Sequence, residues 1–188
     1  MTITGLFGGS FNPIHLGHIN VAQKVLTEKL VDEVWMLVSP LNPFKENVRQ
    51  TDEHVRLEWV KKSVADLPHI EASDFEFTMP QPNYTWRTLQ ALRKAYPTHT
   101  FKLIIGGDNW QEFKRWKCYR KILATTPIII YPRPGYPVDG TCLPEGVCLL
   151  DTPQFDISAT AIREQIRQGN DVGEWVPEAI AHDLQLLK

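Results

Sequence analysis

Gly8-Gly9-Ser10-Phe11-Asn12-Pro13-Ile14-His15-Leu16-Gly17-His18 decides the reading of this chain, because it joins two kinds of apolar pattern. Before it runs Ile3 to Phe7, short and β-rich; after it Ile19, Ala22, Leu26 and Leu30 recur at helical spacing. Glycines at a strand end let the backbone turn sharply and let a ligand approach peptide N–H groups, while the helix that follows offers its N-terminus to phosphate. The stretch predicts a nucleotide site. It is not G-x-G-x-x-G, and no G-x-x-x-x-G-K-[ST] occurs in the chain, so neither a dinucleotide fingerprint nor a Walker loop is present. His15 and His18 stand three apart with Gly17 between them, a spacing that brings both imidazoles to one side of a first helical turn. There they can hydrogen-bond phosphate oxygens as charge builds during phosphoryl or nucleotidyl transfer. A metal site is the rival reading, but H-x-x-H lacks the zincin spacing and no third ligand lies nearby, so no metal ligands are assigned.

Working outward, Glu33 to Ser39, His69 to Ser73, Phe101 to Ile105 and Pro127 to Tyr131 continue the series begun by Ile3 to Phe7. They recur at intervals of about 30 residues, the length of a β-α-β repeat. Helical stripes lie between them, Val55, Trp59 and Val64, then Leu89, Leu92 and Tyr96, and these are read as core faces. Thr51 or Asp52 caps the second helix, Ser158 to Gln168 reads as a helix with Gly169 just past its end, and Pro177 opens a last helix toward Leu187. The alternation predicts a Rossmann-like open parallel sheet of about five strands, with helices on both faces and a small C-terminal helical part. A strand order 3-2-1-4-5 would set Gly8 and Gly9 beside Gly106 and Gly107 at the switch-point crevice, where open α/β sheets bind ligands. Pro40 to Asn47, Pro80 to Asn83 and Pro132 to Pro144 read as loops. No repeat or linker interrupts the chain, so residues 1–188 are expected to form one domain.

Composition narrows the function classes. Of 188 residues, 20 are Lys or Arg and 22 Asp or Glu, a net charge of -2 that argues against a broad basic surface and a nucleic-acid partner. Any anionic ligand must be held locally. Cys118, Cys142 and Cys148 form no C-x-x-C pair, no apolar run approaches the roughly 18 residues of a membrane span, and no secretory signal opens the chain. A soluble cytoplasmic protein without a membrane partner is expected; oligomeric state is not written in these residues.

The quoted stretch resembles the G-[ST]-F-[DN]-P-x-H-x-G-H signature of the nucleotidyltransferase superfamily related to class I aminoacyl-tRNA synthetases. Ile157-Ser158-Ala159-Thr160-Ala161-Ile162-Arg163 resembles its second motif, I-S-[ST]-T-x-I-R, with Ala159 in place of a hydroxyl residue. Read without the resemblance, that segment is either an anion site at a helix start or ordinary N-capping by Ser158 and Thr160. From about Thr4 to the final helix the chain is similar to the bacterial nicotinate-mononucleotide adenylyltransferases. Asn42-Pro43-Phe44-Lys45 resembles the loop that brings a lysine to the phosphates, and Asn83-Tyr84-Thr85 the Y-T segment facing the pyridine nucleotide. Gly106-Gly107-Asp108-Asn109, continuing through Phe113 and Trp116, resembles the G-x-D-x-x-x-x-F-x-x-W block, and Pro132-Arg133-Pro134-Gly135-Tyr136 the R-P-G-Y loop.

The resemblance implies AMP transfer from ATP to nicotinate mononucleotide, giving deamido-NAD and pyrophosphate, with magnesium accompanying the ATP. It implies that His15, His18, Lys45 and Arg163 serve the phosphate chemistry. ATP would lie on Gly8, Gly9, Ser10, Phe11, Gly17, Gly106, Asp108, Ile157, Ser158 and Thr160, and the pyridine nucleotide on Tyr84, Thr85, Trp116 and Arg133. The rivals are the amidated mononucleotide or a pantetheine phosphate as acceptor, the G-x-D block arguing against the latter, and a non-catalytic nucleotide-binding module. One departure stands out. Where the family carries an acidic residue in Y-T-x-D-T-L, this chain has Arg87, either a solvated helical residue or an altered substrate contact.

Overall fold

Alternation along the strands sorts the apolar residues into two cores. Phe7, Met36, Ile104 and Ile129 point into one, while their neighbours Leu6, Trp35, Leu103, Ile105, Ile128 and Ile130 point into the other. Both sets are buried, as a parallel sheet covered on two faces requires. The computed structural model describes residues 1–40 and 51–186. Its strands are β1 (Thr2–Gly9), β2 (Glu33–Val38), β3 (Ile70–Ser73), β4 (His99–Gly106), β5 (Ile128–Tyr131) and β6 (Val147–Leu149), all paired in parallel in the order β3-β2-β1-β4-β5-β6. The Rossmann-like sheet expected from the sequence is therefore present, with one strand more than five. β6 is only three residues long, and Val147-Cys148-Leu149 adds an edge beyond the Pro-rich excursion.

The helices are α1 (Leu16–Thr27), α2 (Glu53–Val64), α3 (Thr85–Ala95), α4 (Gly107–Gln111), α5 (Tyr119–Thr125), α6 (Ala159–Arg167) and α7 (Glu178–Gln185). Val21, Ala22 and Val25 of α1, Leu57 and Val60 of α2, Ile162 and Ile166 of α6 and Ile180 and Leu184 of α7 fill the first core. Leu89 and Leu92 of α3 and Ile122 of α5 fill the second. Helix ends follow local chemistry: Asp52, rather than Thr51, caps α2 by accepting from the His54 N–H at 2.9 Å, and Gly169 takes φ +80° just past α6.

Val55 does not join the core face expected of it. It is 40% exposed, while Arg56 beside it is fully buried with Leu57, Trp59, Val60 and Val64. α2 turns Arg56 inward because its guanidinium meets the carbonyls of Ser10, Ser39, Pro40 and Thr51 there. Tyr96 keeps 37% exposure, its ring packed edge-on against Trp35.

Candidate active site

β1 and β4 are neighbours at which the strand order reverses, so the crevice beyond Gly9 and Gly106 is the switch point of the sheet. From Gly9 the chain turns through Phe11, which holds φ +44° with its ring 2% exposed, edge-on to Phe7 and His18. His15 is the N-cap of α1 and His18 lies in its first turn. Their rings stack with centroids 3.6 Å apart, and the His15 N–H donates to His18 Nδ1 at 3.3 Å. Because Nδ1 accepts, a neutral His18 carries its proton on Nε2. Burial first, and the nearby Arg133 charge second, push the His15 imidazole down to about 3, so it is neutral at physiological pH.

Gly17 makes the stack possible. A Cβ there would stand 3.1 Å from the His15 ring and 3.4 Å from Phe155 Cβ. Gly17→Ala should therefore displace His15 and lower kcat about tenfold, a modest share of what an ångström-scale misplacement can cost. A kcat within twofold of wild type would show that the His15 ring tolerates the methyl.

The second motif arrives from α6. Ser158 caps that helix, its Oγ accepting from the Ala161 N–H at 3.1 Å. Arg163 donates to the Asn12 carbonyl at 2.7 Å and to Thr160 Oγ1 at 3.1 Å, so the two motifs meet across 151 residues of sequence. Burial, with the Arg167 charge, lowers the Arg163 pKa from its ordinary value. His15, Gly17, His18, Tyr131, Arg133, Phe155 and Ile157 line a slot of about 20 Å³. Arg133 Nη1 lies 3.2 Å from Asp108 Oδ2, and the other Asp108 oxygen is buried without a partner among the described residues. A Cβ on Gly106 would collide with that carboxylate and come within 2.7 Å of Arg133 Cδ.

Tyr131 also lines a larger cavity of about 540 Å³, within the range of small-molecule sites. Burial drives its phenol up to about 12. Gly8, Gly9, Gly106, Tyr84, Thr85 and Trp116 line the same cavity, which brings three of the four residues expected to face the pyridine nucleotide beside the glycine ends of β1 and β4. The fourth, Arg133, stands in the histidine slot. Sequence reasoning assigned no role to Glu76, Arg115 or Lys117, which line the cavity as well. Glu76 is 8% exposed and accepts from Thr88 Oγ1 at 2.7 Å, while its main-chain carbonyl accepts from Asn83 Nδ2 at 2.9 Å. Burial raises its carboxyl pKa. Proximity to Tyr84-Thr85 was the available signal for Glu76, and a cation beside Trp116 the signal for Lys117.

Lys45 lies outside the described residues. Among the described residues no group of three or more His, Cys, Asp or Glu converges to hold a metal, and no helix is long and apolar enough to cross a membrane. Imidazole and guanidinium nitrogens thus gather around the histidine slot, and an aromatic-lined cavity lies next to it.

The sequence profile of the cytidylyltransferase-like family matches residues 6–165. A protein of Bacteroides fragilis named probable nicotinate-nucleotide adenylyltransferase is 43% identical over 179 residues, covering 95% of this chain and 89% of that protein. One of the same name from Bacteroides thetaiotaomicron is 44% identical over 169 residues, covering 90% and 84%. Among solved structures, Plasmodium falciparum nicotinic acid mononucleotide adenylyltransferase complexed with NaAD superposes with a TM-score of 0.84 at 20% identity, covering 99% of this chain and 96% of that one. With a profile spanning most of its length and relatives this similar end to end, the chain belongs to the cytidylyltransferase-like family and, within it, to the nicotinate-nucleotide adenylyltransferases.

Proposed function

We propose that this chain, as one nucleotidyltransferase domain of the cytoplasm, transfers AMP from ATP to nicotinate mononucleotide and releases pyrophosphate, forming deamido-NAD for NAD biosynthesis. The observation that carries the reading is the juxtaposition of the His15–His18 slot with the large aromatic-lined cavity across Tyr131. Two phosphorylated substrates can then meet at the glycine ends of β1 and β4. An oxygen of the mononucleotide phosphate attacks the α-phosphorus of ATP in line as the bond to the bridging oxygen breaks, and pyrophosphate leaves. No covalent intermediate is needed. The protein's part is to align two phosphates and stabilise the charge that builds between them.

His18 would donate through Nε2, and His15, neutral and buried, would hold the His18 ring by stacking. Arg163, bound to the Asn12 carbonyl, and Lys45 would offset charge on the departing pyrophosphate. Tyr84, Thr85 and Trp116 would receive the pyridine nucleotide in the larger cavity. Magnesium would arrive with ATP as part of the substrate, since it needs few protein ligands when phosphate oxygens and water complete its shell.

Pyrophosphate release from magnesium-ATP with nicotinate mononucleotide, nicotinamide mononucleotide or phosphopantetheine tests the proposal. The expected result is a kcat/KM for nicotinate mononucleotide at least about tenfold above either other acceptor. Preference for another acceptor would keep the chemistry and move the substrate. Silence with all three, in protein that binds ATP, would reduce the chain to a nucleotide-binding module.

A further inference from the structure

We infer that Arg87 and Lys117 form a cationic rim at the mouth of the large cavity and select the acidic pyridine mononucleotide over its amide by charge. This inference rests on the AMP-transfer reading and adds to it what distinguishes the two acceptors in this particular chain. Tyr84 lines the cavity, and two cations approach its ring: Lys117 Nζ at 4.5 Å and Arg87 Cζ at 5.7 Å from the ring centroid. Lys117 both lines the cavity and remains exposed, while Arg87, exposed on α3 and outside the lining itself, reaches the same Tyr84 ring.

The charges at this opening are not cancelled. Arg115, also in the lining, is paired with Glu112, whereas neither Arg87 nor Lys117 pairs with a carboxylate among the described residues. Glu76 is the acid in the lining among those residues, and its carboxyl is engaged by Thr88 and buried. On a protein of net charge -2, two uncompensated cations on one ring of the cavity lining create a local positive field.

The two pyridine mononucleotides share ribose and phosphate and differ at one substituent. A carboxylate replaces a neutral carboxamide, which adds one negative charge. A fixed cation within about 8 Å, the Debye length at physiological salt, acts on that difference with little screening, and acts on the shared phosphate equally in both acceptors. Neutralising the rim should therefore lower the ratio of the two specificity constants rather than shift both together. Of the two readings its sequence position leaves open, the rim takes Arg87 as a substrate-side residue, on the strength of its place over the Tyr84 ring.

The test is kcat/KM for nicotinate mononucleotide and nicotinamide mononucleotide, at low and high salt, in wild type, Arg87→Gln, Lys117→Gln and the double variant. Both residues are exposed and glutamine keeps much of their length, and far-UV circular dichroism checks the fold. The acid-over-amide ratio should fall about threefold in each single variant and about tenfold in the double, and added salt should compress the ratio in wild type more than in the double. A double-variant ratio within twofold of wild type, with wild type preferring the acid, overturns the rim and leaves the AMP-transfer reading standing. Wild type that turns over neither acceptor removes both.

Discussion

His18→Ala lowers turnover at least about a hundredfold while the protein remains folded, the loss expected when one preorganised donor is removed from a site of developing charge. The size follows from how His18 is held. Its Nδ1 is occupied by the His15 N–H, its ring is stacked on His15 at 3.6 Å, and Phe7 and Phe11 meet it edge-on at 5.8 and 5.1 Å. The imidazole is thus fixed before substrate arrives, and no reorganisation is needed when charge moves onto the phosphate oxygens. Alanine removes the donor and the ring contacts together. Because His18 is half-buried and Phe7, Phe11 and His15 pack elsewhere too, the stability cost should be about 1 kcal/mol, too small to account for the kinetic loss. The measurement is single-turnover AMP transfer with saturating substrates, alongside thermal unfolding. A rate within threefold of wild type would strip His18 of a chemical role and leave it as packing between two phenylalanines.

What was legible in the sequence was local, and what was missed is made by distant segments converging. Glycines ending two strands, H-x-G-H at a helix start and S-A-T-x-I-R at another each declare their geometry within a dozen residues, and the structure brings the two histidine and arginine motifs together through the Arg163 bond to Asn12. β6 escaped because Val147, Cys148 and Leu149 form a short, partly exposed edge behind a Pro-rich segment, where three residues carry no period. Lys117 went unassigned because a cation beside Trp116 does not by itself show that Tyr84, 33 positions earlier, lies beneath it. Arg133 was expected with the pyridine group and stands beside His15, because the partner that holds it, Asp108, sits in the first turn of α4, just past the end of the adjacent strand. Arg56 is the largest omission. A charged residue on a helix is ordinarily on the surface, and its burial follows from carbonyls contributed by three separate parts of the chain.

Arg56→Met should destabilise the protein by about 3–5 kcal/mol, the range seen when one partner of a buried charged interaction is removed and the other stays. Methionine nearly fills the space, so packing is not the main loss. The carbonyls of Ser10, Ser39, Pro40 and Thr51 remain in place, and each loses a guanidinium donor that an apolar side chain cannot replace. Burial opposes the Arg56 charge and lowers its pKa, with Glu53 and Asp52 partly offsetting that, so the side chain persists there because the carbonyls bind it. In a chain of 188 residues the loss should lower Tm by roughly 10 °C. Arg56→Lys should fall between the two, since a single ammonium reaches fewer of the four acceptors than a planar fork. A functional consequence separates this arginine from an ordinary core residue. Ser10 follows β1 and Ser39 follows β2, both at the crevice, and Arg56 ties the two ends together through their carbonyls. At a temperature where Arg56→Met is still fully folded, its kcat/KM for ATP should therefore remain at least about tenfold below wild type, the turn from Gly8 to Pro13 having lost its tether. Activity equal to wild type in the folded variant would confine Arg56 to stability, and an unchanged Tm would mean that water replaces the guanidinium at all four carbonyls.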